Sequence, residues 1–398
     1  MERLDSHETE SARGTVLLCV PYPLEVPGGV AVHGLEVVKN LNNLGWKAFI
    51  CSPSLPGGKS RDNFGENVIR LGTAYPINFR GTTAWWPIYP ESPWRINQVL
   101  EEIKPDVIHL HNMQLSLVLT QILLQADGIK ILTNHASDQN HKYHTALKIL
   151  IGALELLRKG RVFRIDALTA VSQVAKEDAQ KVYPAEYYIV RNGIDLERFT
   201  RNGPAWPRAD DEDPVINYWG RLEPRKGVHD LISAIAIAQN QLPNIKLRIA
   251  GNGTQRQELE VLSQRLGIKQ HVKFYGEISE TKKPAFIRGS DIAVFVANGN
   301  ESHGIVIDEA WGCGKPVIVS NIPGFNNHVE NHRTGILVKH SSPTDLAAAI
   351  VELNENQILR QKIIDCSSEE VKKYSWARTA QKYSGTYEKL LSTGRRRR

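Results

Sequence analysis

The chain alternates short apolar runs with stretches of helical spacing, breaks once, and then alternates again. The first series starts with "TVLLCV" (15–20), followed by two prolines, and "VAVHGLEVVKNLNNLG" (30–45), which ends at a glycine. Further strand patterns are "KAFICS" (47–52), "NVIRL" (67–71), "DVIHLH" (106–111), "IKILTN" (129–134) and "ALTAVS" (167–172). The break, "TRNGPAWPRADDEDP" (200–214), is polar and rich in Pro, Asp and Arg, as a linker is. The second series has strand patterns at 215–220, 245–251, 271–276, 291–297, 316–320 and 335–339, with amphipathic helices between them. Parallel strands need a crossover to bring the chain back, and a helix supplies it. Each series therefore predicts a parallel sheet covered on both faces.

The expected fold class is α/β, with two doubly wound Rossmann-like domains facing across a cleft. A chain of 398 residues is too long for one core and suits two. The predicted units are 1–200 and 201–374; a final helical stretch, 375–398, has no strand after it and is expected to cross back onto the first domain. Ligands of such sheets lie at the carboxyl ends of the strands, so the cleft is the predicted site.

Composition excludes several classes. The four cysteines are far apart, without metal-ligand spacing or a disulfide framework, which favours a reducing cytosol. The first residues read neither as a signal nor as a transit peptide, and no apolar run approaches the length of a bilayer span. The net charge is +6, partly in the terminal "RRRR"; with no zinc-finger, RRM or helix-turn-helix pattern, nucleic acid is not the expected partner.

Chemistry gathers at predicted strand ends. After strand 215–220 comes "GRLEPRKG", with Arg221, Arg225 and Lys226 placed to meet phosphate oxygens, or else simply solvated. After strand 291–297, "NGNESHGIVIDEAWGCGKPVI" starts a helix near Gly304 and Ile305, whose free amides favour an anion such as a diphosphate. Glu309 falls about one turn in, where a carboxylate accepts hydrogen bonds from vicinal ribose hydroxyls. Glu301 precedes the helix and suits another polyol; the plain alternative for both acids is stabilisation of the helix start. In the first half, Gly28 and Gly29 lie between strand and helix, where backbone amides approach phosphate, although the pattern is not GxGxxG. His109, His111, His135, Asp138, His141 and His144 are dense enough to raise zinc, but without HExxH a metal is not expected. His135 ends a strand at the predicted cleft and is the best candidate to touch substrate.

These motifs run through nearly the whole chain, together with "LTAVSQVAKED", "VRNGIDLERF", "LRIAGNG" and "TGILV". In this order they resemble the retaining glycosyltransferases of GT-B fold in family 4. Within that family, "PYPLEVPGGVAVH" and "GTAYPINFRGT" look most like the bacterial phosphatidylinositol mannosyltransferases. The resemblance implies hexose transfer from GDP-mannose or a UDP-hexose, with no cofactor, because the nucleotide-sugar is a substrate, and no metal. It implies that Arg221 and Lys226 bind the donor diphosphate and that Glu309 holds the ribose. Glu301 then lies near the transferred sugar, and the amides of His303, Gly304 and Ile305 add phosphate contacts. Gly29 approaches from the other domain, His135 meets the sugar near the reacting carbon, and the base lies near Glu277. Asn327 stands where the family commonly has a glutamate.

The acceptor implied is a membrane lipid or glycolipid, or a soluble sugar or small metabolite. The expected location is the cytoplasm, with possible peripheral contact at the inner face of the membrane. An epimerase on the same architecture is the alternative reading. "TTAWWPIYPESPW" (82–94) reads as an aromatic cluster suited to a lipid interface, a sugar or ordinary core or loop packing, and the basic stretch 144–164 as a buried helix or a lipid-facing one.

Overall fold

Strand β1 (Thr15–Cys19) sends Val16 and Leu18 to one side and Leu17 and Cys19 to the other, and all four are fully buried. A strand buried on both faces belongs inside a sheet with helices above and below. The computed structural model describes residues 13–26, 28–58, 64–79, 82–89, 91–112, 117–135, 165–209 and 213–394. After β1 the chain forms α1 (Gly29–Asn43), β2 (Lys47–Ser54), β3 (Val68–Phe79), β4 (Thr82–Tyr89) and α2 (Pro93–Ile103). It continues through β5 (Val107–His111), α3 (Leu117–Gln125), β6 (Ile129–Asn134), β7 (Ala167–Ala170), α4 (Gln173–Val182) and β8 (Tyr188–Ile189). These strands make one sheet in the order β4-β3-β2-β1-β5-β6-β7-β8, parallel except for β3 with β4.

The second series is β9 (Val215–Trp219), α5 (Val228–Ala238), β10 (Lys246–Ala250), α6 (Arg256–Arg265), β11 (Val272–Gly276), α7 (Lys283–Arg288) and β12 (Ile292–Phe295). It ends with α8 (Ile305–Gly312), β13 (Val317–Ser320), β14 (Ile336–Val338), α9 (Pro343–Glu355), α10 (Gln357–Val371) and α11 (Trp376–Gly394). Its sheet runs β11-β10-β9-β12-β13-β14, all parallel. In each sheet the strand order reverses once, beside β1 and beside β9. The crevice at such a reversal is where open α/β sheets bind ligands.

Local chemistry explains the elements that frame these crevices. In α1, Ala31, Gly34, Val37, Val38 and Leu41 are buried at helical spacing against β1 and β2. Ser92 caps α2 by accepting from the Arg95 amide at 3.2 Å, and Pro93 takes the first-turn position. In α11, Trp376, Ala380, Tyr383 and Tyr387 recur every three or four residues and enter the same core as α1. That helix is pinned by Trp46 Nε1 donating to Ser384 Oγ (2.9 Å) and by a 2.7 Å bond between Tyr387 and His109 Nδ1. The Ile194 amide donates to the Tyr374 carbonyl (2.8 Å), so the segment leaving the first domain and the one returning to it lie side by side.

Two segments differ from expectation. The strand expected at 67–71 extends to Phe79 and returns antiparallel as β4, so most of the aromatic-rich stretch 82–94 is a hairpin strand. Thr, Tyr, Ile and Trp at 73–89 favour that pleated pairing. The first part of the break, 200–209, is also docked: Trp206 packs edge-on against Tyr275 (5.6 Å between centroids) and Phe286 (5.8 Å). Asp138, His141, His144, the basic stretch at 144–164, most of "DDED" and the terminal arginines lie outside the described residues.

Candidate active site in the interdomain cleft

The loop after β9 carries three cations, and its conformation is set by a glycine. Gly227 has φ +66°, and a Cβ there would stand 1.9 Å from the Val296 carbonyl. Only glycine lets the loop lie against the end of β12. Lys226 Nζ and Arg225 Nη1 thereby reach the same Glu301 oxygen, at 2.5 and 2.8 Å. Glu223, also buried, accepts from Arg225 Nε at 3.1 Å and from Arg221 Nη1 at 2.9 Å. Three cations thus alternate with two carboxylates, which leaves one positive charge in excess.

Burial opposes ionisation of Glu301, but Lys226 and Arg225 outweigh it and hold its carboxyl below the usual range. Lys226 is shifted downward as well, chiefly by burial, with Glu301 working against that shift. The two directions pull opposite ways on one ion pair. A lysine starts far above neutrality, so the pair is charged at pH 7. Arg221 keeps nearly half of its side chain exposed.

Helix α8 begins abruptly. Gly304 has φ +78°, and a Cβ there would meet Phe325 Cε1 at 2.8 Å. No side chain caps this end, so its first amides and the positive pole of the helix are left without a side-chain acceptor. Asp308 turns inward instead and is fully buried; its two oxygens accept from His303 Nε2 (2.9 Å) and His328 Nε2 (2.7 Å). Burial opposes the Asp308 charge, but the two imidazoles hold its carboxyl far below the ordinary range. Glu309 accepts from Trp219 Nε1 (2.6 Å) and Lys283 Nζ (3.2 Å), and burial raises its carboxyl above the usual range.

The first domain meets this helix directly. A Cβ on Gly29 would lie 3.5 Å from Ile305 Cδ1, so the starts of α1 and α8 abut across the cleft. One turn into α1, His33 bonds Asn192 Oδ1 through Nδ1 at 2.8 Å. His111 ends β5, and its Nδ1 lies 2.7 Å from His135 Nε2. The His135 amide donates to Asn112 Oδ1 at 2.7 Å, which fixes the residue just past β6.

The structure therefore brings Arg221, Lys226, Glu301, Gly304, Ile305 and Glu309 around one helix start. Gly28, Gly29 and His135 lie on the facing domain. His303 belongs to the same turn, but its imidazole is directed to Asp308 rather than to the cleft. Glu277 is exposed in the loop after β11, and Asn327 is exposed in the turn before His328. Sequence reasoning passed over Glu223, Asp308, His328, Lys283, Trp219 and His33. Of these, Asp308 had a local signal, as an acid beside Glu309 inside an apolar helix start.

Two family models match this chain: "Glycosyltransferase Family 4" over residues 27–198 and "Glycosyl transferases group 1" over 204–369. The chain belongs to glycosyltransferase family 4. This family 4 glycosyltransferase is 28% identical over 382 residues to the phosphatidyl-myo-inositol mannosyltransferase of Mycobacterium leprae, covering 95% of this chain and 97% of that one. It is 29% identical over 318 residues to the protein of the same name from Propionibacterium freudenreichii, covering 78% and 77%. Anabaena HepE, solved with UDP and glucose, superposes with a TM-score of 0.74 at 21% identity, over 94% of this chain and 100% of that one. Sucrose-phosphate synthase from Thermosynechococcus elongatus gives 0.75 at 21% identity, over 96% and 100%. The fold expected from the motifs, GT-B, is the fold found.

Proposed function

We propose that this glycosyltransferase moves a hexose from a nucleotide-sugar, GDP-mannose or a UDP-hexose, to a membrane lipid or glycolipid, with retention at the anomeric carbon. The observation that carries the reading is the cluster at α8: Lys226 and Arg225 on Glu301 at 2.5 and 2.8 Å, beside an uncapped helix start that faces Gly29. Breaking the glycosyl–phosphate bond leaves negative charge on the diphosphate. Arg221, the remaining donors of Lys226 and the amides of Gly304 and Ile305 stabilise that charge where it develops.

In this reading Glu309, ionised, accepts from the ribose hydroxyls, and Lys283 shares its carboxylate. Glu301 orients Lys226 and borders the sugar. His135 meets the sugar from the other domain, near the reacting carbon. The acceptor oxygen attacks from the face that the diphosphate leaves, and its proton passes to a leaving phosphate oxygen. No step is assigned to a metal ion or to a protein nucleophile.

The lipid acceptor is supported by the names of the relatives that align along most of this chain. It is supported also by Trp94, 72% exposed at the start of α2, and by the exposed Tyr75 on β3. No helix among the described residues is long and apolar enough to cross a membrane. Peripheral contact at the cytoplasmic face of a membrane is the arrangement proposed.

The test is incubation with GDP-mannose or UDP-glucose and either phosphatidylinositol vesicles or soluble sugars, followed by mass spectrometry. The expected products are a hexosylated lipid and the free nucleoside diphosphate. A hexosylated soluble sugar alone would overturn the lipid acceptor. An altered donor sugar without any acceptor product would indicate an epimerase.

A further inference from the structure

Three imidazoles meet beneath the N-terminal side of the cleft, each from a different element: His33 from α1, His111 from the end of β5 and His135 from the turn after β6. Each offers a ring nitrogen, and the three nitrogens lie within 4.8 Å of one another. The His33 ring packs 5.0 Å from His111 and 4.7 Å from His135 between centroids, its Nε2 lies 3.5 Å from the Tyr383 hydroxyl, and its Nδ1 is held by Asn192 Oδ1 at 2.8 Å, which sets the ring. That is how an outer hydrogen bond fixes a metal-ligating histidine. His111 Nδ1 and His135 Nε2 stand 2.7 Å apart and share one proton, while His111 Nε2 is buried without a hydrogen-bond partner. Burial keeps all three rings neutral: His33 is lowered to about 4, and His111 and His135 fall well below the ordinary value. Neutral imidazole is the form that binds zinc.

We propose that His33, His111 and His135 form a site for a late first-row divalent cation, zinc being the probe, and that its occupation inhibits sugar transfer. The cation takes the place of the proton shared between His111 Nδ1 and His135 Nε2, that proton moves to the other nitrogen of its own ring, and each of the three neutral rings gives one nitrogen, with water completing the tetrahedron. The inhibitory part rests on the proposed function, because the ion would hold His135 away from the sugar. A second group, His303, Asp308 and His328, also brings its ligand atoms within 4.8 Å. There the carboxylate already binds one nitrogen of each imidazole, at 2.9 and 2.7 Å, so although His328 Nδ1 is buried without a partner, an ion between them would have to break two charge-assisted bonds.

Zinc is titrated into the full chain against a chromophoric chelator, with transfer assayed in parallel. The expected result is one zinc per chain, binding weakened at least tenfold in His33→Ala and in His111→Ala, unchanged binding in His328→Ala, and transfer falling as the site fills. X-ray absorption on the zinc-loaded unmutated protein keeps the test independent of how the variants fold. Three imidazoles in the first shell support the site; two imidazoles with a carboxylate assign the ion to Asp308 and overturn it. Absence of saturable binding overturns it too, as does full transfer activity at full occupancy. Failure of the zinc-free protein to transfer any sugar would instead overturn the proposed function, and the binding result would still decide the site.

Discussion

Glu309 and Asp308 are consecutive residues with opposite fates. Burial raises the Glu309 carboxyl, so its protonation on acidification begins above the ordinary glutamate range. The donor KM is therefore expected to rise as pH falls through that region. Glu309→Gln should raise KM at neutral pH and abolish this acid limb in steady-state kinetics. Asp308 is depressed, so the unfolded chain binds more protons than the folded one. Its contribution to stability is complete above the ordinary aspartate range, about 3.9, and is lost as pH falls below it. Asp308→Asn should cost about 2 kcal/mol near neutrality, the scale of a hydrogen bond to a charged group. It should also flatten the acid decline in urea-unfolding midpoints. The acids before and inside α8 were legible because they sit beside a local helix signal. Their partners were not: Trp219 lies 90 positions from Glu309, and Lys226 lies 75 from Glu301. Those pairs exist because β9 lies next to β12, an order that no local window contains.

At the scale of elements, the start of α8 is the most constrained place in the site. Gly304→Ala puts a Cβ at positive φ and 2.8 Å from the Phe325 ring. The left-handed conformation alone costs about 1–2 kcal/mol for an L-residue. The expected outcome is a lower thermal midpoint together with weaker nucleotide binding by calorimetry, because the displaced turn carries the amides. Helix α11 makes the opposite point about legibility. Its amphipathic spacing was readable, but not that Tyr387 would bond His109 and Ser384 would bond Trp46. Those partners lie 278 and 338 residues away. A chain ending at Tyr374 would expose the core that Trp376, Ala380, Tyr383 and Tyr387 cover. It is expected to lose cooperative unfolding of the N-terminal domain, read by hydrogen exchange at β1 and α1. The β3–β4 hairpin was missed because its aromatic content suits an interface, a core or a pleated strand equally well, and only antiparallel pairing decides among them.

At the scale of the whole molecule, two sheets each reverse their strand order once, and the loops leaving the strands at and next to the two reversals carry opposed groups. One side supplies Gly29 and His135; the other supplies cations, an uncapped helix and Glu309. Repetition of the strand–helix period made this two-sheet architecture readable, and polarity of the strands put the chemistry at their carboxyl ends. The central claim is that this cleft breaks a sugar–diphosphate bond. The most direct test is the rate at which nucleoside diphosphate and hexosylated product form together from GDP-mannose or UDP-glucose, for the unmutated protein and for Lys226→Ala. The account predicts equal amounts of the two products from the unmutated protein and a kcat/KM lowered about 10²–10³-fold in the variant, the scale of losing one donor to developing charge. An undiminished rate in Lys226→Ala would contradict it.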